Sequence, residues 1–163
     1  PAVVVARRVG AAPLGEHDGG PRPARPRSGA QPLLSKLPAG AAVSLASDVG
    51  GGTSLSLLRT MADAYKVQAM AGQRLTAWTA LHAATRGAAQ ALLLDEEIGS
   101  LEAGRTADVC VWDWAADPVA ARRMGVARSL HEKAFAWMTM ADDRNLVAAY
   151  IAGVARHRRG DRP

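Results

Sequence analysis

The stretch that most restricts this chain is a short apolar run that ends on a carboxylate and three glycines. Ala41–Ser47, centred on Val43 and Leu45, is followed by Asp48-Val49 and then Gly50-Gly51-Gly52. A short apolar run of this kind reads as a buried parallel strand, and the glycines turn the chain sharply at its end. Thr53 or Ser54 can then cap a helix whose apolar positions Leu57, Leu58, Met61, Ala64 and Tyr65 recur at helical spacing, and Gly72 stops it. Strand, turn and helix in that order predict an α/β unit, the setting in which a carboxylate past a strand end reaches a functional crevice. Asp48 is therefore the leading candidate catalytic residue on physical grounds. The alternative is a turn aspartate accepting backbone N–H bonds.

The remainder reads as more of the same class. A second helix opens at Thr76 and passes Ala77, Ala80, Leu81 and Ala84, with Gly87 interrupting it before Ala88–Leu92. Ile98-Gly99 and Ala103-Gly104 bracket a turn ahead of a strand over Ala107–Trp112. Ser129-Leu130-His131-Glu132 is a capping-box pattern that starts a third helix, running to about Met140. Asp142-Asp143 signals a turn, and Leu146–Ala152 is a last strand ended by Gly153. With 35 alanines and seven aromatic residues in 163, the core must rest on Leu, Val, Met and four Trp.

Composition excludes several functions. The net charge of +5 divides into +3 over residues 1–35, +3 over residues 156–163 and −1 over 36–155, so the globular part is neutral and no nucleic-acid-binding fold is expected. No apolar run approaches the ~18 residues of a membrane span, and no secretory signal opens the chain. The single Cys110 excludes a disulfide framework and zinc sites built on paired cysteines, including the H-x-E plus P-C-x-x-C deaminase type. A cytoplasmic setting is expected. Residues 1–36 hold six of nine prolines and five glycines; apart from a possible strand at Ala2–Val5 they are expected to be disordered. Their Pro/Arg/Gly/Ala usage is what GC-rich DNA yields when read out of frame, and a genuine unrelated tail is the other reading. The chain begins with Pro1 rather than Met, as a fragment or processed form would.

Other candidates are weaker. Gly50–Ser54 lacks the P-loop and G-x-G-x-x-G patterns. His17, His82, His131 and His157 fall at no metal-ligand spacing, Ser54 and Ser56 have no evident histidine partner, and Cys110 reads as a small buried residue. Trp112, Trp114, Trp137 and Met138 are expected in the core rather than on a binding surface.

Ser47-Asp48-Val49-Gly50-Gly51-Gly52-Thr53-Ser54, with Leu57-Leu58-Arg59-Thr60-Met61 and Ala64-Tyr65-Lys66-Val67, closely resembles the guanine deaminase branch of the metal-dependent amidohydrolase superfamily. Ala80-Leu81-His82-Ala83-Ala84-Thr85 is similar to the superfamily's A-L-x-x-A-T helix, and Ile98–Asp108 to its G-x-L-x-x-G-x-x-A-D return strand. Ala127-Arg128-Ser129-Leu130, Asp142-Asp143-Arg144 and Tyr150-Ile151-Ala152-Gly153 resemble the C-terminal end of guanine deaminases, so the likeness covers about residues 38–155.

The resemblance implies α/β architecture: residues 37–95 as the end of a (β/α)8 TIM-type barrel, its last strand and helices. Residues 96–155 would be the C-terminal share of a small β-sandwich with an inserted helix, and 156–163 a basic tail. It implies Zn2+ as cofactor in the complete enzyme, guanine as substrate and a possible homodimer. Asp48 would be both zinc ligand and acceptor of a proton from the attacking water, in hydrolysis of guanine to xanthine and ammonia. The branch's H-x-H, its two later zinc histidines and its acid glutamate have no counterpart here, and no seventh strand precedes Leu37. The expectation is a C-terminal piece that is inactive alone. The alternatives are a fragment of a related deaminase or chlorohydrolase, or a non-catalytic partner-binding domain.

Overall fold

The computed structural model describes residues 2–4, 44–47 and 54–161. Its elements are β1 (Ala2–Val4), α1 (Leu57–Met70), α2 (Ala77–Ala84), α3 (Arg86–Ala91), β2 (Val109–Trp112), α4 (Pro118–Val126), α5 (Leu130–Met140), β3 (Leu146–Ile151) and β4 (Val154–Arg158). The four strands form one antiparallel sheet in chain order, β1-β2-β3-β4. Leu58, Met61, Leu75, Ala77, Ala80, Ala84, Ala134, Trp137 and Met138 form a helical core that draws on both segments 37–95 and 96–155, and Trp112 of the sheet packs against it partly buried.

The helical stripe read from residues 57–65 is the buried one: Leu58 and Met61 are buried, while Leu57, Ala64 and Tyr65 pack partly buried on the same core. The helix starts later than the expected cap. Ser56 is the N-cap residue, and Ser54 acts one step earlier, its Oγ accepting the Ser56 N–H at 3.1 Å. Gly72, at φ +70°, follows the last turn as expected. Thr76 caps α2 through its Oγ1, which accepts the Thr79 N–H. The break between α2 and α3 lies at Thr85, whose backbone leaves the helical region and whose hydroxyl bonds back to the Leu81 carbonyl at 2.7 Å. Gly87, expected to interrupt the helix, lies inside α3, where a Cβ would come within 2.9 Å of both the His82 ring and its carbonyl oxygen.

Residues 44–47 are the described part of the expected strand Ala41–Ser47, and they form no strand. The Leu45 N–H donates instead to the Ala83 carbonyl at 2.9 Å. A parallel strand needs a neighbour to complete its ladder, and none among the described residues pairs with it. Helix α4 was not expected, although Asp117-Pro118 signals it: the Asp117 carboxylate accepts the Val119 and Ala120 N–H groups and Pro118 occupies the first turn. At α5 the Ser129 Oγ accepts the Glu132 N–H, but the Glu132 carboxylate reaches back to the Arg128 N–H rather than to Ser129, so the box is offset by one residue.

Residues 156–159, expected as the start of a basic tail, complete the sheet. Arg156, His157 and Arg158 belong to β4, the Arg159 N–H bonds the Val147 carbonyl, and its guanidinium meets Asp113 at 2.6 Å. Exposed charges along an edge strand are a common protection against further pairing. Ala2–Val4 at the opposite edge pairs with β2, at the possible strand read over Ala2–Val5; the rest of residues 1–36 lies outside the described residues.

The β3–β4 turn is Ala152-Gly153, both at positive φ (+49° and +78°), as a two-residue turn of this hand requires. Asp108, 2% exposed, holds it: one carboxylate oxygen accepts the Ala152 N–H at 2.8 Å, and the Ala107 carbonyl accepts the Gly153 N–H. Ala152→Asn, which relieves the left-handed strain on alanine, is expected to stabilise the chain by about 0.5–1 kcal/mol. Asp108→Ala, which orphans the turn N–H, should cost about 1–3 kcal/mol. Denaturant midpoints of the two variants against the parent chain check both signs.

Candidate functional site

Asp48, the one residue expected to carry chemistry and to bind metal, lies outside the described residues, as do Gly50–Gly52 and Thr53. The described chain stops at Ser47, just past Leu45 and its bond to Ala83, and resumes at Ser54 on the wall of a cavity.

That cavity, about 480 Å³, lies between the start of α1, the end of α2, α5 and β2. Leu57, Leu58, Met61, Leu81, Trp112 and Trp137 give it apolar walls, and Ser54, Ser56, Thr85, Cys110 and Asp143 add polar atoms. Apolar walls with a few polar groups at the margin are the usual make-up of a small-molecule or segment-binding site. Beside it is a polar cleft of about 390 Å³ lined by Ser54, Ser56, Arg59, Asp142, Asp143 and Arg144.

Trp137 and Met138 are buried in the core, as expected, while Trp112 and Trp114 are half-buried against it. Trp137 is 4% exposed and packs edge-on against Trp112 and Trp114, with ring centroids 5.9 and 6.3 Å away. The indole N–H groups of Trp112 and Trp137 are buried and have no hydrogen-bond acceptor among the described residues. Nothing in the sequence pattern signals this, because it depends on how two rings from different elements stack.

Polar residues around the cavity are held by local geometry. Asn145, fully buried, accepts the Asp142 N–H through Oδ1 and donates through Nδ2 to the Asp113 carbonyl, tying the end of β2 to the turn before β3. The Arg144 guanidinium clasps Asp142, which lowers that carboxyl below its ordinary value. The charged clasp is thus complete above the ordinary carboxylate range and is lost as pH falls through the lowered value. Glu102 is lowered likewise by Arg86 first and Arg105 second, in the turn after α3.

The histidines do not converge on this region. His82 packs over Gly87, His131 meets the Trp78 ring, and His157 lies on β4, while His17 is outside the described residues. Among the described residues no group of three His, Cys, Asp or Glu side chains could hold a metal ion. These residues therefore do not fit a zinc centre by themselves. No helix among the described residues is long and apolar enough to cross a bilayer.

Cys110 is half-buried on β2, and burial first, then the nearby Asp108 charge, raises its thiol above the ordinary value. A raised thiol favours the folded chain below the unfolded value, and that contribution is lost as pH climbs through the folded one. Iodoacetamide should accordingly label Cys110 more slowly in the folded chain than in urea at neutral pH. Equal rates in the two states would contradict the placement.

Comparison with known proteins adds the wider context. The family model described as Amidohydrolase family matches residues 22–156. The guanine deaminase of Escherichia coli (strain K12) is 39% identical over 111 residues, 68% of this chain and 25% of that protein. The solved structure of E. coli guanine deaminase matches with a TM-score of 0.70 at 37% identity, over 72% of this chain and 28% of that one. An imidazolonepropionase of Agrobacterium fabrum is 43% identical over 84 residues, 50% of this chain and 19% of that protein. The chain thus spans about a quarter of the length of the relatives it matches.

Proposed function

The chain belongs to the amidohydrolase family, and from that premise we propose that it is the C-terminal portion of a guanine-deaminase-like hydrolase. The observation that carries this reading is the agreement of sequence and fold: E. coli guanine deaminase matches over more of this chain than the imidazolonepropionase does, and its solved structure follows the same path. Residues 37–95 then contribute the end of a TIM-type barrel, and residues 96–155 one share of a β-sandwich. The proposed setting is cytoplasmic, and the complete enzyme is proposed as a homodimer.

The proposed reaction is hydrolysis at the ring carbon that bears the amino group of guanine. Water adds to that carbon, the C–N bond breaks, ammonia leaves and a carbonyl remains, giving xanthine. Asp48 is the one residue of this chain assigned to the chemistry. Its carboxylate accepts a proton from the attacking water and returns it to the departing nitrogen, a task worth about 10²–10⁴-fold in rate. It is also the one proposed zinc ligand here; a single carboxylate does not hold a zinc ion, so metal binding belongs to the complete enzyme.

The decisive experiment puts the segment back in context. Residues 38–155, substituted for the matching segment of E. coli guanine deaminase, should give a chimera that converts guanine to xanthine. Asp48→Asn in that chimera should lower kcat by about 10²–10⁴-fold, and the chain alone should release no ammonia. A folded chimera that ignores guanine but hydrolyses another amino- or chloro-substituted ring supports the second reading, a related hydrolase of the same family. Full activity in the Asp48→Asn chimera overturns the assignment.

Residues 1–36 are proposed to be an out-of-frame stretch. DNA sequencing of both strands upstream of codon 36 should then find H-x-H and the later histidines in a shifted frame. An in-frame upstream region without them overturns that proposal.

A further inference from the structure

Two exposed surfaces away from the cavities carry opposite charge and matching apolar side chains. The first is the turn after α3. Residues 92–97 hold Asp95, Glu96 and Glu97 and no Lys or Arg, and both glutamates are exposed. Leu93 is 89% exposed and stands at φ +57°, a left-handed backbone that a leucine rarely adopts. Strain kept at a position that leaves a large apolar side chain in solvent points to a contact beyond the chain's own fold. The second surface is the outer side of α4. Ala120 is buried and Met124 packs on the core, so Val119, Arg122 and Val126, three and four residues apart, share the face turned away from it. Val119 and Val126 are 70% and 65% exposed. Residues 118–131 hold three arginines, Arg122, Arg123 and Arg128, and no Asp or Glu. Neither these arginines nor the three carboxylates after α3 form an ion pair among the described residues.

We infer that the acidic turn after α3 docks on the basic outer face of α4 in a second copy of this chain. Both surfaces are exposed, so neither covers the other within one copy. Charge selects the partner: a surface of net +3 over residues 118–131 attracts one of net −3 over residues 92–97 and repels its own kind. The apolar side chains set the register, with Leu93 seated between Val119 and Val126 and Glu96 against Arg122. When the turn of each copy docks on α4 of the other, the two contacts are equivalent and close a two-fold dimer. The contact lies wholly within this chain and stands whether or not guanine is the substrate.

The test is sedimentation velocity of the full chain over a concentration series. A dimer should form at low ionic strength and weaken about tenfold or more at about 0.5 M salt, where charges more than a few ångströms apart are screened. Arg122→Glu and Glu96→Lys each set like charges face to face, and each should weaken the dimer about tenfold. An equimolar mixture of these two variants restores opposite charges at both contacts and should recover the parental affinity as a mixed dimer. Leu93→Asn removes the apolar side chain while relieving the left-handed strain, so thermal stability should hold or rise as dimerisation falls about tenfold. Arg158→Glu, on the exposed strand β4, should leave dimerisation unchanged. A chain that stays monomeric throughout the series overturns the contact. Self-association that ignores salt and both charge reversals, as contact through an apolar cavity would, also overturns it. So does a mixture of the two variants that dimerises no more tightly than either alone.

Discussion

Trp137 is the joint on which the rest of the molecule depends. It projects from α5 into the angle between Trp112 and Trp114, so one side chain welds the helical layer to the end of β2. Such a joint is needed because the facing helices are rich in alanine: Ala77, Ala80, Ala84 and Ala134 fill the core without burying much area each. Their small side chains let α1, α2 and α5 approach closely, and the large residues Met61, Met138 and Trp137 then supply the buried surface. Truncating a buried tryptophan of this kind typically costs about 3–5 kcal/mol, a large part of the stability of a domain this size.

A second frame is polar. Asp108 at one end of β2 and Asn145 just before β3 are both 2% exposed, and each bonds backbone on a neighbouring element. Together they set the ends of the β2–β3 pair and the hand of the following turn. The indole donors of Trp112 and Trp137 have no acceptor among the described residues, and both rings line the apolar cavity beside Ser54.

Within this chain no group of three His, Cys, Asp or Glu side chains among the described residues could hold a metal ion. Its described histidines sit on α2, α5 and β4, in three separate packing roles.

Much of the helical part was legible in the residues themselves. The 57–65 stripe, the Thr76 cap and the Ser129–Met140 helix follow from periodicity and capping chemistry, which act over three or four residues. The G-G-G turn after Asp48 gave the family resemblance because it joins a chemical group to a backbone constraint within one short block. Strand behaviour was less readable, since a strand is defined by its neighbour: residues 44–47 have the apolar pattern but no ladder, while Arg156–Arg158, which look like a basic tail, are paired through a turn specified four residues earlier. Only the tertiary structure could place Trp112 against Trp137 across 25 residues of sequence, seat the Asp108 carboxylate under Ala152 and open the cavity beside Ser54. Those features arise from contacts distant in sequence, and no local propensity encodes them.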